Sequence, residues 1–155
     1  MIVVVNTSPL IALDRIDHLN VLSQLFGDVT RPRSVLDELM AGKHIYGGSQ
    51  SIFHADWIKT LDDPPEMILR KELGAGETAV IALALRLKAD LVILDDLSAR
   101  NVAVELGLNV TGTLGVLLAA HRKGFLQDIN QALFALKDAG FRISDAAINS
   151  MLSDV

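Results

Sequence analysis

Short apolar runs alternate with segments of helical periodicity along the whole chain. Ile2–Val5 and Leu91–Leu94 are continuous apolar runs with the length of β-strands, Trp57–Leu61 alternates as a strand does, and Asp28–Thr30 and Asn109–Thr111 are shorter candidates. Strands that are apolar along most of their length are typical of parallel sheets that helices cover on both faces. The alternation therefore predicts an α/β fold in which a parallel sheet lies between two layers of helices.

The segments between these runs place apolar side chains three or four residues apart, which predicts helices. We expect the helices near residues 10–19, 34–40, 77–87, 97–106, 114–122 and 129–140, and a last one after residue 144. Ser8 is the expected cap of the first helix and Ser144 that of the last. Ala41–Ala55 is rich in glycine and serine, and it is predicted as a loop, either a mobile flap or a plain surface loop.

No internal repeat or boundary interrupts the pattern, so we predict a single domain over residues 1–155. A chain of this length can bury roughly 70% of its unfolded surface. Its apolar start ends at Asn6 without the basic residues of a signal peptide, and no stretch approaches the ~20 apolar residues of a membrane span. The chain has no cysteine, which excludes disulfides and thiolate sites and is consistent with a cytoplasmic protein.

Several polar residues follow predicted strands, at the edge where open parallel sheets bind ligands. Asn6 ends the first strand, and Asp95 and Asp96 follow the fourth. Glu38 lies one turn into the helix after the second strand, and Glu77 opens the helix before the fourth. Carboxylates gathered at one edge repel each other unless a cation joins them, and their oxygens suit magnesium or manganese. The set predicts a divalent metal site without identifying a substrate.

Each of these residues also has a purely structural interpretation. Asn6 could satisfy backbone groups at a helix start, and Glu38 could be a solvated helix acid. Glu77 is favoured in a first turn by the helix dipole whatever its role. One of Asp95 and Asp96 could cap the following helix. The hypothesis of a metal site therefore rests on the whole set.

Five motifs, in this order along the chain, resemble the PIN domain. They are Val5-Asn6-Thr7-Ser8-Pro9-Leu10-Ile11, Pro32-x-x-Val35-x-x-Glu38-Leu39, Gly74-x-Gly76-Glu77-x-x-x-Ile81-x-Leu83-Ala84, Leu94-Asp95-Asp96-x-x-Ala99-Arg100, and Gly112-Thr113-Leu114-Gly115-Val116-Leu117-Leu118 followed by Lys123-Gly124. The last of them is similar, more narrowly, to the prokaryotic VapC-like branch. Each motif is weak alone, but the combination is specific and covers nearly the whole chain.

The resemblance implies a three-layer α/β/α sandwich around a five-stranded parallel sheet. It also implies a metal-dependent ribonuclease that uses Mg or Mn, often the toxin of a toxin–antitoxin pair. Carried over by position, the catalytic and metal-binding residues would be Asn6, Glu38, Glu77, Asp95 and Asp96. PIN nucleases usually have Asp at the first position. Asn6 brings one negative charge less, so a weak or inactive binding module is the alternative.

Two further residues are candidates for contacts with the nucleic acid. Arg100 is spaced to project beside the site, where it could bind a phosphate or pair with an acid. Ser8 could orient a water at the metal or cap its helix. Basic residues flank the predicted flap, where they could form a rim or an ordinary solvated face; they are Arg31, Arg33, Lys43 and His44.

The expected partners are RNA, an antitoxin protein and a second copy of the chain. The apolar segment Leu114–Leu118 and the C-terminal apolar stripe could form a dimer face or complete the monomer core. The net charge of −5 opposes RNA binding unless the acids are concentrated at a metal and bases surround them.

Other doubly wound classes fit the sequence less well. A receiver or an aspartyl-phosphate phosphatase needs an aspartate nucleophile where Asn6 stands, and a lysine beside the fifth strand, which the sequence lacks. Nucleotide-binding folds are disfavoured because neither GxGxxG nor GxxxxGK occurs.

Overall fold

The computed structural model describes residues 1–46, 51–65 and 72–153, without the side chains of residues 43–46, 151 and 152. The strands are β1 (Val3–Val5), β2 (Val29–Pro32), β3 (Ile58–Leu61), β4 (Leu91–Ile93) and β5 (Val110–Thr111). All of them pair in parallel in one sheet, in the order β3-β2-β1-β4-β5. The predicted five-stranded parallel sheet is confirmed.

Helices connect the strands and cover the sheet. They are α1 (Thr7–Arg15), α2 (Val21–Phe26), α3 (Arg33–Tyr46), α4 (Ser51–His54), α5 (Ala75–Leu87), α6 (Leu97–Glu105), α7 (Thr113–Arg122), α8 (Ile129–Asp138) and α9 (Asp145–Ser153). This arrangement confirms the predicted three-layer α/β/α fold. The first predicted helix is shorter than expected, because the chain turns at Asp17, whose φ of 60° is left-handed, before it enters α2.

The predicted loop over residues 41–55 is wrong for most of the residues that the structure describes there. Helix α3 continues to Tyr46, and Ser51–His54 forms α4, while residues 47–50 lie outside the described part. Ile52 is 3% exposed, and its carbonyl accepts a hydrogen bond from Nη1 of Arg31 at 2.7 Å. Burial and a tertiary hydrogen bond thus outweigh the local preference for a loop.

The predicted basic rim is also wrong at Arg31, which is buried. Its side chain is 2% exposed and donates from Nε to the Thr60 hydroxyl at 3.1 Å. Burial, with the neighbouring charge of Arg33, lowers the pKa of the Arg31 guanidinium. Arg33 lies 3.9 Å from Asp62, and the side chains of Lys43 and His44 lie outside the described part. Arg31 is therefore a structural residue.

Helix α7 completes the core of this chain. Val116 and Leu117 are buried, and α7 packs against α1, α2 and α8. The apolar stripe of α8 is buried as well; it consists of Ile129, Ala132, Leu133 and Leu136. Of the two interpretations of these segments, the structure favours the monomer core. In the part of the chain that is described, no helix has the length and apolar character needed to cross a membrane.

The strand order places the ends of β1 and β4 at a switch point of the sheet. From β1 the chain continues to β2 and β3 on one side, and it returns to build β4 and β5 on the other. Val5 is paired with Ile93, so the two strands end side by side, and the amide of Asn6 donates to the Ile93 carbonyl at 3.1 Å. Open α/β sheets bind ligands in the crevice at such a point.

Candidate active site

Asn6 is the first residue after β1 and occupies the N-cap position of α1, two residues before the predicted cap Ser8. Its side chain makes no capping hydrogen bond within the described part of the chain. Asn6 is 6% exposed, and its Oδ1 has no hydrogen-bond partner among the residues that the structure describes. A buried polar atom without a partner costs about 1–3 kcal/mol, so this oxygen is a candidate ligand donor.

Glu38 approaches the same strand end from α3. The Thr7 hydroxyl, adjacent to Asn6 in the chain, donates to Oε2 of Glu38 at 2.7 Å. On the other side lies Gly76 in the first turn of α5, where an added Cβ would come within 2.9 Å of Cδ of Glu38. The Thr7 hydroxyl thus holds the Glu38 carboxylate in place. Because Glu38 is exposed, the carboxylate remains accessible to a ligand from solvent.

Glu77 follows Gly76 directly, but its carboxylate belongs to its own helix. Oε2 of Glu77 accepts a hydrogen bond from the amide of Gly74 at 3.0 Å, which is the half of a capping box that a glycine N-cap allows. This hydrogen bond to the helix start accounts for one of the two carboxylate oxygens of Glu77.

The two aspartates after β4 bind the starts of two different helices. Asp96 caps α6, since its Oδ2 accepts from the amide of Ala99 at 3.0 Å. Asp95 reaches across to α7, where its two oxygens accept from the amide and the hydroxyl of Thr113, both at 2.7 Å. The sequence predicted a cap at one of the two positions, whereas each aspartate holds a helix start.

Asp95 shares its surroundings with Arg100. A Cβ added to Gly112 would lie 2.8 Å from Oδ1 of Asp95 and 2.9 Å from Nη1 of Arg100, so a larger residue there would displace the ends of these two side chains. Both residues, with Ser8, line a cavity of about 480 Å³. The sequence prediction that Arg100 lies beside the acids is consistent with this geometry.

The cavity has a second wall that sequence reasoning missed. This wall includes Phe141, Arg142 and Ile143, from the segment between α8 and α9. Only the turn at Gly140 marked this part of the sequence, and nothing in its pattern connected it to residues beside β4.

The predicted acids thus form two groups at one edge of the sheet. Glu38 lies with Thr7 and Gly76, and Asp95 lies with Arg100 near Gly112. Among residues 1–46, 51–65 and 72–153, no three His, Cys, Asp or Glu side chains come together closely enough to hold a metal ion. The structure therefore shows carboxylates distributed along the crevice, each with a hydrogen-bond partner from the protein.

We expect Asp95→Ala to lower the free energy of unfolding by about 1–3 kcal/mol. The change removes two hydrogen bonds to a charged group and leaves the first amide of α7 without its cap. Urea denaturation measures the effect. Asp62→Ala is the matched control, because Asp62 is 94% exposed in a surface ion pair and should cost at most about 0.5 kcal/mol. Equal stabilities of the two variants would contradict the role assigned to Asp95.

The fold and this polar crevice define an α/β protein with a candidate ligand site at the carboxyl ends of β1 and β4. A family model described as PIN domain matches residues 2–155, and the chain belongs to the PIN-domain family. PIN domains are generally nucleases that bind nucleic acids and use divalent metals. The predicted family is thus confirmed.

A solved structure supports the same fold. It is that of a PilT N-terminus domain protein, SSO1118, from the hyperthermophilic archaeon Sulfolobus solfataricus P2. The similarity has a TM-score of 0.60 and 18% sequence identity, and it covers 77% of this chain and 93% of that one. At this identity the likeness concerns the fold alone. No curated protein sequence matches the chain.

Proposed function

We propose that the chain is a metal-dependent endoribonuclease that hydrolyses RNA phosphodiesters with Mg or Mn. The observation that carries this proposal is the buried Oδ1 of Asn6, which lacks a hydrogen-bond partner within the described residues and lies at the switch point of the sheet. A neutral amide oxygen is a hard donor of the kind that magnesium and manganese accept.

The donor chemistry of the crevice fits one such ion. Magnesium is usually held by one or two carboxylates, and water and substrate phosphates complete its coordination. A gathered group of three acids is therefore not required. We assign the direct donors to Asn6 and Glu38, which lie together at the end of β1, and supporting roles around the ion to Glu77, Asp95 and Asp96, whose carboxylates accept hydrogen bonds from helix starts.

A bound divalent cation supplies Lewis acidity toward the phosphodiester and lowers the pKa of a coordinated water. The protein's own side chains position the reactants. Thr7 orients the Glu38 carboxylate, and the start of α7 orients that of Asp95. Arg100 binds a phosphate of the RNA backbone as a guanidinium can, through two parallel hydrogen bonds. Ser8, which lines the cavity beside Arg100, donates its hydroxyl to the same substrate.

A second candidate function is a PIN-like module that binds nucleic acid or protein and cleaves weakly or not at all. Two observations favour it: the neutral Asn6 in place of the usual Asp, and the distribution of the acids along the crevice without a group of three in the described chain. Each reduces the negative charge available to hold a cation.

Substitutions of Asn6 distinguish the two candidates. We expect Asn6→Asp to bind Mn²⁺ at least about tenfold more tightly than the wild type, because a full negative charge near the cation is worth several kcal/mol at an effective dielectric constant of about 20. Asn6→Ala, which removes the donor, should bind Mn²⁺ more weakly. Calorimetric titration gives the affinities, and a labelled RNA with and without EDTA gives the cleavage rates.

The matched control is Asn101→Asp, the same change at an exposed position of α6. If Asn6→Asp and Asn101→Asp bind Mn²⁺ with equal affinity, the proposed metal site is wrong. Cleavage by Asn6→Asp together with an inactive wild type would instead establish the binding module.

We further propose that the chain is the toxin of a toxin–antitoxin pair in the cytoplasm and that it forms a homodimer. Exposed apolar side chains support a protein contact. Leu97 and Val104, which are 72% and 61% exposed, lie two turns apart on the same side of α6. Phe134 on α8 is 72% exposed. Large apolar side chains grouped on one surface are typical of protein interfaces.

A further inference from the structure

The cavity beside Asp95 has the size of a ligand site. Its volume of about 480 Å³ lies within the range of about 300–1,000 Å³ that small-molecule and cofactor sites occupy. It lies where the starts of α1 and α7, the helix α6 and the segment between α8 and α9 meet. Most of its walls belong to elements that carry no predicted metal ligand.

The charge of the cavity differs from that of the whole chain. Its charged lining residues are Arg100, Arg142 and Asp95, so two basic residues and one acidic residue line it. The chain as a whole carries a net charge of −5. Positive charge is therefore concentrated at this cavity, and guanidinium groups bind phosphate with two parallel hydrogen bonds. The net charge is thus no obstacle to an anionic ligand here.

The remaining lining has a polar and an apolar part. Ser8 and Thr111 contribute hydroxyls, which both donate and accept hydrogen bonds. Phe141 is half-buried and lies with Leu136 and Ile143 on the apolar side. An aromatic ring with apolar neighbours provides a surface on which a nucleobase stacks, worth about 1–3 kcal/mol per base.

We propose that this cavity binds one unpaired nucleotide of the RNA substrate, with its base on Phe141 and its phosphate on Arg142 and Arg100. This inference rests on the proposed ribonuclease function, and it makes Phe141 and Arg142 binding residues that determine which RNA is accepted. A base enters such a cavity only when it is unstacked, as in single strands, loops and bulges. The bound nucleotide would lie next to Asp95, which lines the same cavity.

Binding of adenosine 5′-monophosphate in EDTA tests the inference without any metal. We expect the nucleotide to bind more tightly than inorganic phosphate, because the base adds stacking to the phosphate contact. Phe141→Leu keeps an apolar side chain and should weaken binding at least about fivefold, as the loss of stacking requires. Arg142→Gln should weaken the binding of both the nucleotide and inorganic phosphate. Calorimetry or equilibrium dialysis measures these constants.

Two control variants carry the same changes outside the cavity. Phe134→Leu alters an exposed phenylalanine of α8, and Arg122→Gln removes an arginine at the opposite end of α7. Both should bind the nucleotide like the wild type. Thermal unfolding shows whether each variant is folded. A titration of the wild-type protein with adenosine 5′-monophosphate tests the inference without any variant. If the inference holds, the amide chemical shifts near residues 111–115 and 141–143 change.

The outcomes separate this inference from the proposed function. Any of three results would overturn the nucleotide site. They are equal affinity for the nucleotide in Phe141→Leu and Phe134→Leu, equal binding of nucleotide and inorganic phosphate by the wild type, and chemical-shift changes only elsewhere in the chain. RNA cleavage by the wild type under any of these outcomes leaves the ribonuclease proposal intact. Nucleotide binding in EDTA without any cleavage in Mn²⁺ would remove the ribonuclease and keep the nucleotide site.

Discussion

Glu38→Gln should lower metal-dependent RNA cleavage by about 100-fold or more and leave the fold intact. The amide oxygen of glutamine still accepts the hydrogen bond from Thr7, so the side chain keeps its place on α3. The change removes only the negative charge that the proposed cation needs, and losing even an indirect partner of a metal ligand typically costs 10–100-fold. Cleavage of a labelled RNA in Mn²⁺ and urea denaturation measure the two effects.

The neighbouring acid on α3 provides the control for Glu38→Gln. Asp37 is exposed like Glu38, and Asp37→Asn removes the same charge one residue away. We expect Asp37→Asn to cleave RNA like the wild type. If both variants keep full activity, Glu38 has no part in the reaction, and if both lose activity equally, the effect is one of net charge alone.

Gly76→Ala should have a comparable effect on cleavage without touching any acid. Its methyl group would lie 2.9 Å from Cδ of Glu38, closer than two such carbon atoms approach, so the carboxylate must move. A displacement of about 1 Å in an active site can cost about 100-fold in rate. Because Glu38 is exposed and flexible, its movement costs little stability, and alanine favours the helix by about 1 kcal/mol over glycine.

A substitution that merely unfolds the protein would lower both cleavage and stability, whereas Gly76→Ala should lower cleavage and preserve or raise stability. Gly74→Ala is the matched control, two residues earlier in the chain, where an added Cβ meets no atom closer than Oε2 of Glu77 at 3.9 Å. That variant should cleave RNA like the wild type. Equal activity in Gly76→Ala and Gly74→Ala would contradict a role for the position of the Glu38 carboxylate.

The hydrogen bonds of Glu77 and Glu38 show which contacts at the site can be predicted from the sequence. The hydrogen bond from Gly74 to Glu77 joins residues three apart, and so does that from Ala99 to Asp96. Such contacts follow from local backbone geometry, and the sequence indicated a cap at one of the two aspartates and a first-turn position for Glu77. The hydrogen bond from Thr7 to Glu38 spans 31 residues, and only the packing of α1 against α3 brings the two together.

The same distinction applies to the fold. The sequence by itself determined the order of the five strands and of the helices other than α2 and α4, because apolar periodicity and helix caps act within a few residues. It also placed the acids at one edge of a parallel sheet, since strands of one direction end at the same side. It misjudged Ala41–Ala55, where helix α4 is fixed by the burial of Ile52, by its packing on α1 and α3, and by the hydrogen bond from Arg31.

Only the tertiary structure decided which polar groups are already engaged and which surfaces face each other. It paired Asp95 with Thr113, left Oδ1 of Asn6 without a partner in the described part, and brought Phe141, Arg142 and Arg100 to the lining of one cavity. These relations join segments that are distant in the chain. They depend on how helices pack around the sheet, and that packing is a property of many side-chain contacts together rather than of any local pattern.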